Sequence, residues 1–195
     1  MSPSMLILAP ALLASAILSS LGGAPVKRVV VSGGTHGNEY TGVYVLHRLD
    51  SRKEHLVDTF PSLQIETLVA NPKAHSSNRR FIDADLNRMF SEATLRDIAL
   101  EGYEPNRAKA INAALGPKGV SAAVDVCIDL HTTTANMGAT IIVDEWCPLA
   151  QRIAAYILQK WEPCHAHRLR VMVHEGMTQD QTPYLCSVAR HGLQI

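Results

Sequence analysis

A chain of 195 residues with 47% hydrophobic and 18% charged residues has the composition of an ordinary globular domain and enough length to bury a core unaided. Eighteen Lys and Arg balance eighteen Asp and Glu, so no broad positive field exists to bind nucleic acid or an anionic membrane surface. Cys127, Cys147, Cys164 and Cys186 form no C-x-x-C pair, which argues against a thiolate zinc cage or a redox dithiol and suits a reducing compartment.

Residues 1–25 are set apart as an apolar extension. The run from Met5 to Leu18 falls short of the ~20 residues a bilayer span requires. Met1 to Ser4 also lack the Lys or Arg of a signal-peptide n-region. The extension reads as an extra amphipathic helix or a start-site artefact, so a cytoplasmic protein without membrane association is expected, secretion being the alternative.

From Lys27 the pattern changes. KRVVVS is a β-branched run that stops at Gly33-Gly34, a buried strand ending in a turn. Apolar residues at 43, 46 and 49 predict a helix over 40–49, and 63–70 a strand closed by a turn at Asn71-Pro72. Residues 73–90 are polar and aperiodic, a loop long enough to be functional. One or two helices follow over 92–114, broken near Gly102 and Pro105. Strands are predicted at 124–130, 139–143 and 169–173, with a helix at 148–160 and the opening of a last strand at 192–195, expected to leave an unpaired sheet edge. Strands alternating with helices predict an α/β domain over residues 26–195.

The sharpest local feature is Gly33-Gly34-Thr35-His36-Gly37-Asn38-Glu39 directly after a strand. It has neither G-x-G-x-x-G spacing nor the Lys-Ser/Thr of a phosphate loop, but it carries His-x-x-Glu. An imidazole and a carboxylate three residues apart on a strand-end turn can share one ion. His131, at the end of VDVCIDLH, is the candidate third ligand, leaving an open position for water. Asp129 lies two residues earlier on the same strand face and is placed to orient that imidazole. Two His and one Glu is a ligand set used by zinc hydrolases that cleave amides. His165, His167 and Cys164 could also meet a metal but lack a fourth group nearby; the remaining histidines, His174 among them, read as surface or packing residues.

The segment Asn78 to Arg88 (NRRFIDADLNR) gathers three guanidiniums and two amides in one aperiodic stretch. A planar guanidinium can grip a carboxylate bidentately or stabilise an oxyanion developing on a carbonyl. A solvated loop whose Arg and Asp neutralise one another is the alternative from these residues alone.

Taken together, GGTHGNE, Asn71-Pro72, DLNR at 85–88 and DLHTTTANMG at 129–138 recur in this order in the aspartoacylase and aminoacylase-3 family. The chain resembles that family over about residues 26–195. The resemblance implies a zinc carboxypeptidase-like three-layer αβα domain with a mixed sheet, and a smaller C-terminal domain that is missing from this sequence. It implies a single zinc ion on His36, Glu39 and His131, and Arg80 against the scissile acyl carbonyl. Asn87 and Arg88 would grip the substrate carboxylate, and Tyr184 would contact substrate. The implied reaction is zinc-dependent hydrolysis of small N-acyl-L-amino acids, with homo-oligomerisation left open. Where aspartoacylases carry a further Arg, this chain has Cys186, which shifts the expected preference toward aminoacylase-3-like substrates. The family's general base is a Glu in an [IL]-E-[VL]-G-P segment that would follow Ile195, and Glu175 precedes that position by too much to be the same residue. A homologue that binds zinc and ligand without turnover is therefore the alternative function.

Overall fold

The protein is described from a computed structural model covering residues 25–119, 121–133, 135, 137–161 and 168–195. The N-terminal extension, apart from Pro25, and the Cys164, His165 and His167 group lie outside these residues.

The β-branched run forms β1 (Arg28–Gly33), followed by α1 (Tyr40–Asp50), α2 (Lys53–Thr59) and β2 (Gln64–Val69). After the short α3 (Pro72–Ser76) come α4 (Glu92–Arg96), α5 (Tyr103–Leu115) and β3 (Val126–Leu130). The chain continues through β4 (Ala139–Asp144), α6 (Pro148–Trp161), β5 (Leu169–His174) and β6 (His191–Gln194). The six strands make one sheet in the order β2-β1-β3-β6-β4-β5. All neighbours are parallel except β4 and β6, so the sheet is mixed. This is an α/β fold of the kind expected.

Strand alternation splits the core between the two faces. Cys127 packs with Val30, Phe90 and the Ala108–Ile111–Leu115 stripe of α5, whereas its neighbour Ile128 packs toward Ala150 and Ala154 of α6. Helices therefore cover both faces. No described helix is long and apolar enough to cross a membrane.

Three expectations differ. Asn71-Pro72 does not merely turn: the Asn71 side chain accepts a hydrogen bond from the Ala74 N–H at 3.2 Å and Pro72 occupies the first helical position, so together they start α3. Pro105 does not break a helix either. It lies in the first turn of α5, where a missing N–H costs nothing. Finally, β6 is no edge: it is paired to β3 on one side and to β4 on the other, and the edge strands are β2 and β5.

The strand order positions the site. β1 and β3 are neighbours, yet the chain leaves β1 toward β2 on one side and leaves β3 toward β4 on the other. A crevice opens at the carboxyl ends of such a pair, where α/β folds bind ligands. The turns after β1 and β3 carry His36, Glu39 and His131 into it.

Candidate metal centre and ligand cleft

Close backbone approach shapes the crevice. A Cβ on Gly33 would meet the Gly42 backbone at 2.7 Å, and one on Gly42 would meet the Leu130 carbonyl oxygen at 2.8 Å. Without them, α1 sits directly against the ends of β1 and β3. The turn closes with the Glu39 N–H donating to the His36 carbonyl at 3.0 Å. His36 and Glu39 are each only 5% exposed.

His36, Glu39 and His131 offer donor atoms that all lie within 4.8 Å of one another. Glu39 is the centre: its Oε1 is 2.7 Å from His36 Nδ1, and its Oε2 is 3.1 Å from His131 Nδ1 and 2.8 Å from the Thr132 N–H that donates to it. Each imidazole turns its other nitrogen to a carboxylate, His131 Nε2 to Asp129 at 2.7 Å and His36 Nε2 to Asp85 at 2.9 Å. Asp129 is fully buried and is held in turn by hydroxyls of Ser32 at 2.7 Å and Thr35 at 2.8 Å. Such outer carboxylates fix the tautomer, leaving Nδ1 of both rings free to bind a metal.

The electrostatics suit a divalent cation. Burial opposes ionisation of Glu39, but hydrogen bonds from His131, His36 and the Thr132 N–H hold its carboxyl at about 2. Asp85 is likewise held at about 2, against burial, chiefly by its bond to His36. Burial would lower His131, yet the Asp129 charge and hydrogen bond and then Glu39 push it up to about 10. His36 is raised from its ordinary value despite burial, by Asp85 and Glu39. Three carboxylates against the Arg80 guanidinium leave two negative charges, balanced either by two imidazolium protons or by one divalent ion with both imidazoles neutral. Donor types and charge thus fit zinc.

The arginine stretch borders this centre. Arg80 Nη2 lies 2.9 Å from His36 Nε2, and its Nη1 donates to Glu39 Oε1 at 3.4 Å. Asn87 Nδ2 is 3.5 Å from His131 Nε2 and donates to Gln194 Oε1 at 3.2 Å, while Asn87 Oδ1 accepts from the Leu185 N–H at 3.0 Å. Arg88 donates to the Asn87 carbonyl at 2.9 Å and lies over the Tyr184 ring, 5.3 Å from its centroid. His36, Glu39, His131, Arg80, Asn87, Arg88 and Tyr184 all border one cleft of about 910 Å³.

Other residues enter or leave the picture. Asp85 orients His36 and caps the turn carrying Asn87, whose N–H it accepts at 2.9 Å; its place in DLNR was the available signal. Gln194 lies in register with Asp129 on the adjacent strand and reaches into the cleft. His174, read as a surface or packing residue, lines the cleft beside Tyr184, with ring centroids 5.3 Å apart, and its Nδ1 faces the buried Asp144 carboxylate at 3.5 Å. Cys186 is 1% exposed within the core and does not line the cleft, so its thiol cannot read a substrate side chain. Glu175 is exposed and does not line the cleft either.

Comparison with known proteins adds independent findings. Residues 25–176 match the family model described as the succinylglutamate desuccinylase/aspartoacylase catalytic domain. The chain is 38% identical over 188 residues to the N-acyl-aromatic-L-amino acid amidohydrolase (carboxylate-forming) B of Danio rerio, covering 94% of this chain and 56% of that protein. Murine aminoacylase 3 superposes with a TM-score of 0.77 at 32% identity, over 89% of this chain and 56% of its own. A metallo-carboxypeptidase from Burkholderia cenocepacia, at 13% identity and a TM-score of 0.56 over 88% of this chain and 48% of its own, shares the fold. The chain spans about half the length of the relatives it matches.

Proposed function

The chain belongs to the succinylglutamate desuccinylase/aspartoacylase family, and from that premise we propose that its cleft serves zinc-dependent hydrolysis of N-acyl-L-amino acids. The amide C–N bond breaks, the oxygen of water joins the acyl carbon, and an amino acid and a carboxylate leave. One observation carries the reading: a largely buried His-Glu-His donor cluster and two guanidiniums border the same cleft.

His36, Glu39 and His131 hold the zinc ion in this reading. When bound, that ion supplies Lewis acidity to an amide carbonyl and to water. Asp129 and Asp85 keep the two imidazoles in the metal-binding tautomer. Arg80, already against His36 and Glu39, offers its guanidinium to the acyl carbonyl oxygen, where negative charge grows as the amide is attacked. Arg88 and Asn87 take the substrate carboxylate, the planar fork of Arg88 being suited to two parallel hydrogen bonds. Tyr184 props Arg88 from the far side and bounds the space left for the substrate side chain. The name of the zebrafish relative supports aromatic side chains there. The free, buried thiols of Cys127, Cys147 and Cys186 support a cytoplasmic setting.

The test uses a chimaera that continues this chain with the remainder of the zebrafish relative. Arg88→Ala should raise KM for N-acetyl amino acids by about 10- to 150-fold, the equivalent of a charged hydrogen bond. Arg80→Ala should instead lower kcat, because its partner charge develops only in the transition state. Wild-type kinetics in both variants would remove this loop from the active site.

A further inference from the structure

Between Arg80 and Arg88 the backbone turns inward at Ile82, Asp83 and Ala84, and all three N–H groups donate to one carboxylate, that of Glu104. Its Oε1 accepts from Ile82 N at 2.6 Å and from Asn71 Nδ2 at 3.1 Å; its Oε2 accepts from Asp83 N at 2.8 Å and Ala84 N at 3.1 Å. Glu104 is the second residue of α5 and is 0% exposed. The fastening is reciprocal, for Asp83 Oδ2 accepts from the Tyr103 N–H, the first of α5, at 2.7 Å.

A buried carboxylate is a costly way to hold an ordinary surface loop, since an apolar anchor would avoid desolvating a charge. It offers directionality instead. Three consecutive N–H groups converging on one anion leave that stretch of backbone a single arrangement. Guanidiniums that must meet a carbonyl and a carboxylate on the same small molecule need their spacing fixed to that degree.

We propose that Glu104 is a positioning residue for ligand recognition, fixing the backbone between Arg80 and Arg88 so that both guanidiniums reach one N-acyl amino acid. This rests on the amidohydrolase reading of the cleft. Burial opposes its ionisation, yet the loop N–H groups and Asn71 pull its carboxyl below the usual range, so the clasp acts through the anion.

The experiment measures the Kd of the zinc-loaded 195-residue protein for N-acetyl-L-tyrosine by calorimetry, in wild type, Arg88→Ala, Glu104→Gln and the double variant. Gln keeps the size of the side chain but turns an NH₂ toward backbone N–H donors. Glu104→Gln should keep wild-type zinc content and circular dichroism while weakening ligand by about tenfold or more. The double variant should lose far less affinity than the product of the two single losses, because Glu104 acts in part through the Arg88 contact. The amide resonances of Ile82, Asp83 and Ala84 should move in the same variant, a change that mere helix packing would not produce. Should Glu104→Gln fail to fold, Asp83→Ala, on an exposed side chain, removes the acceptor of the Tyr103 N–H from the same clasp and should weaken ligand several-fold. If Arg88→Ala weakens the ligand while Glu104→Gln or Asp83→Ala binds like wild type, or if the two losses simply add, the proposal is overturned. If Arg88→Ala itself binds like wild type, the amidohydrolase reading fails first and takes the proposal with it.

Discussion

His131 is oriented by Asp129, and Asp129 by Ser32 and Thr35, so the metal-facing nitrogen is set by residues of the neighbouring strand and turn. Asp129→Asn should leave the fold intact but loosen zinc by about 10- to 100-fold, as removal of an orienting partner does. Chelator competition measures it. The raised His131 also predicts a pH effect. With a folded value of about 10 against an ordinary 6.5, metal-free protein carries a proton on this ring at pH 7, and zinc must displace it. Calorimetry in buffers of different ionisation enthalpy should therefore show about one proton or more released per zinc, with affinity falling as pH falls. The same shift sets a stability window. The contribution of His131 is full below 6.5 and fades as pH rises toward about 10, whereas that of Glu39 is full above 4.5 and is lost as pH falls toward about 2. Metal-free protein should thus lose urea resistance between pH 7 and 9, and zinc-loaded protein should not. The meeting of His36, Glu39 and His131 was legible in the sequence because each follows a strand within a short pattern. Asp85 was not, since it meets His36 across 49 residues of chain, and neither was Gln194, 107 residues from Asn87.

At the scale of elements, the decisive contact is α1 against the ends of β1 and β3. Gly42→Ala would press a methyl against the Leu130 carbonyl, a backbone group that cannot swing aside. The expected cost is about 1–3 kcal/mol, read from the urea midpoint. Zinc affinity should fall with it, because α1 carries Glu39 at its head while His131 follows Leu130. The long strands and α1, α5 and α6 were readable from β-branched runs and 3.6-residue periodicity. The helix α2 was not, for it buries none of its residues and leaves no apolar pattern to read. The stretch 73–90 looked structureless because its order comes from partners elsewhere: Glu104 for Ile82 to Ala84, Gly37 for the Arg80 carbonyl, and Leu185 for Asn87.

For the whole molecule, the sheet order brings two turns, one arginine stretch and Tyr184 to a single cleft, an outcome no local pattern contains. The placement of β6 between β3 and β4 likewise depends on a crossover that the sequence does not display. The carboxylates of the metal centre, Glu39 together with Asp85 and Asp129 behind the imidazoles, are all engaged by His36 or His131. None is free to carry protons between water and the leaving amine, a function usually contributing about 10²–10⁴-fold. Residues 1–195 should therefore bind zinc and N-acetyl-L-tyrosine but turn it over far more slowly than the chimaera described above. Equal turnover on folded, zinc-loaded samples would show that another group carries the proton.

The reading stands on His36, Glu39 and His131 forming one zinc site. Metal analysis after exhaustive dialysis tests it most directly, comparing wild type with the triple alanine variant once both are shown to be folded. Wild type should retain about one zinc per chain and the variant none. Equal zinc in the two proteins would mean that these three residues do not hold the metal.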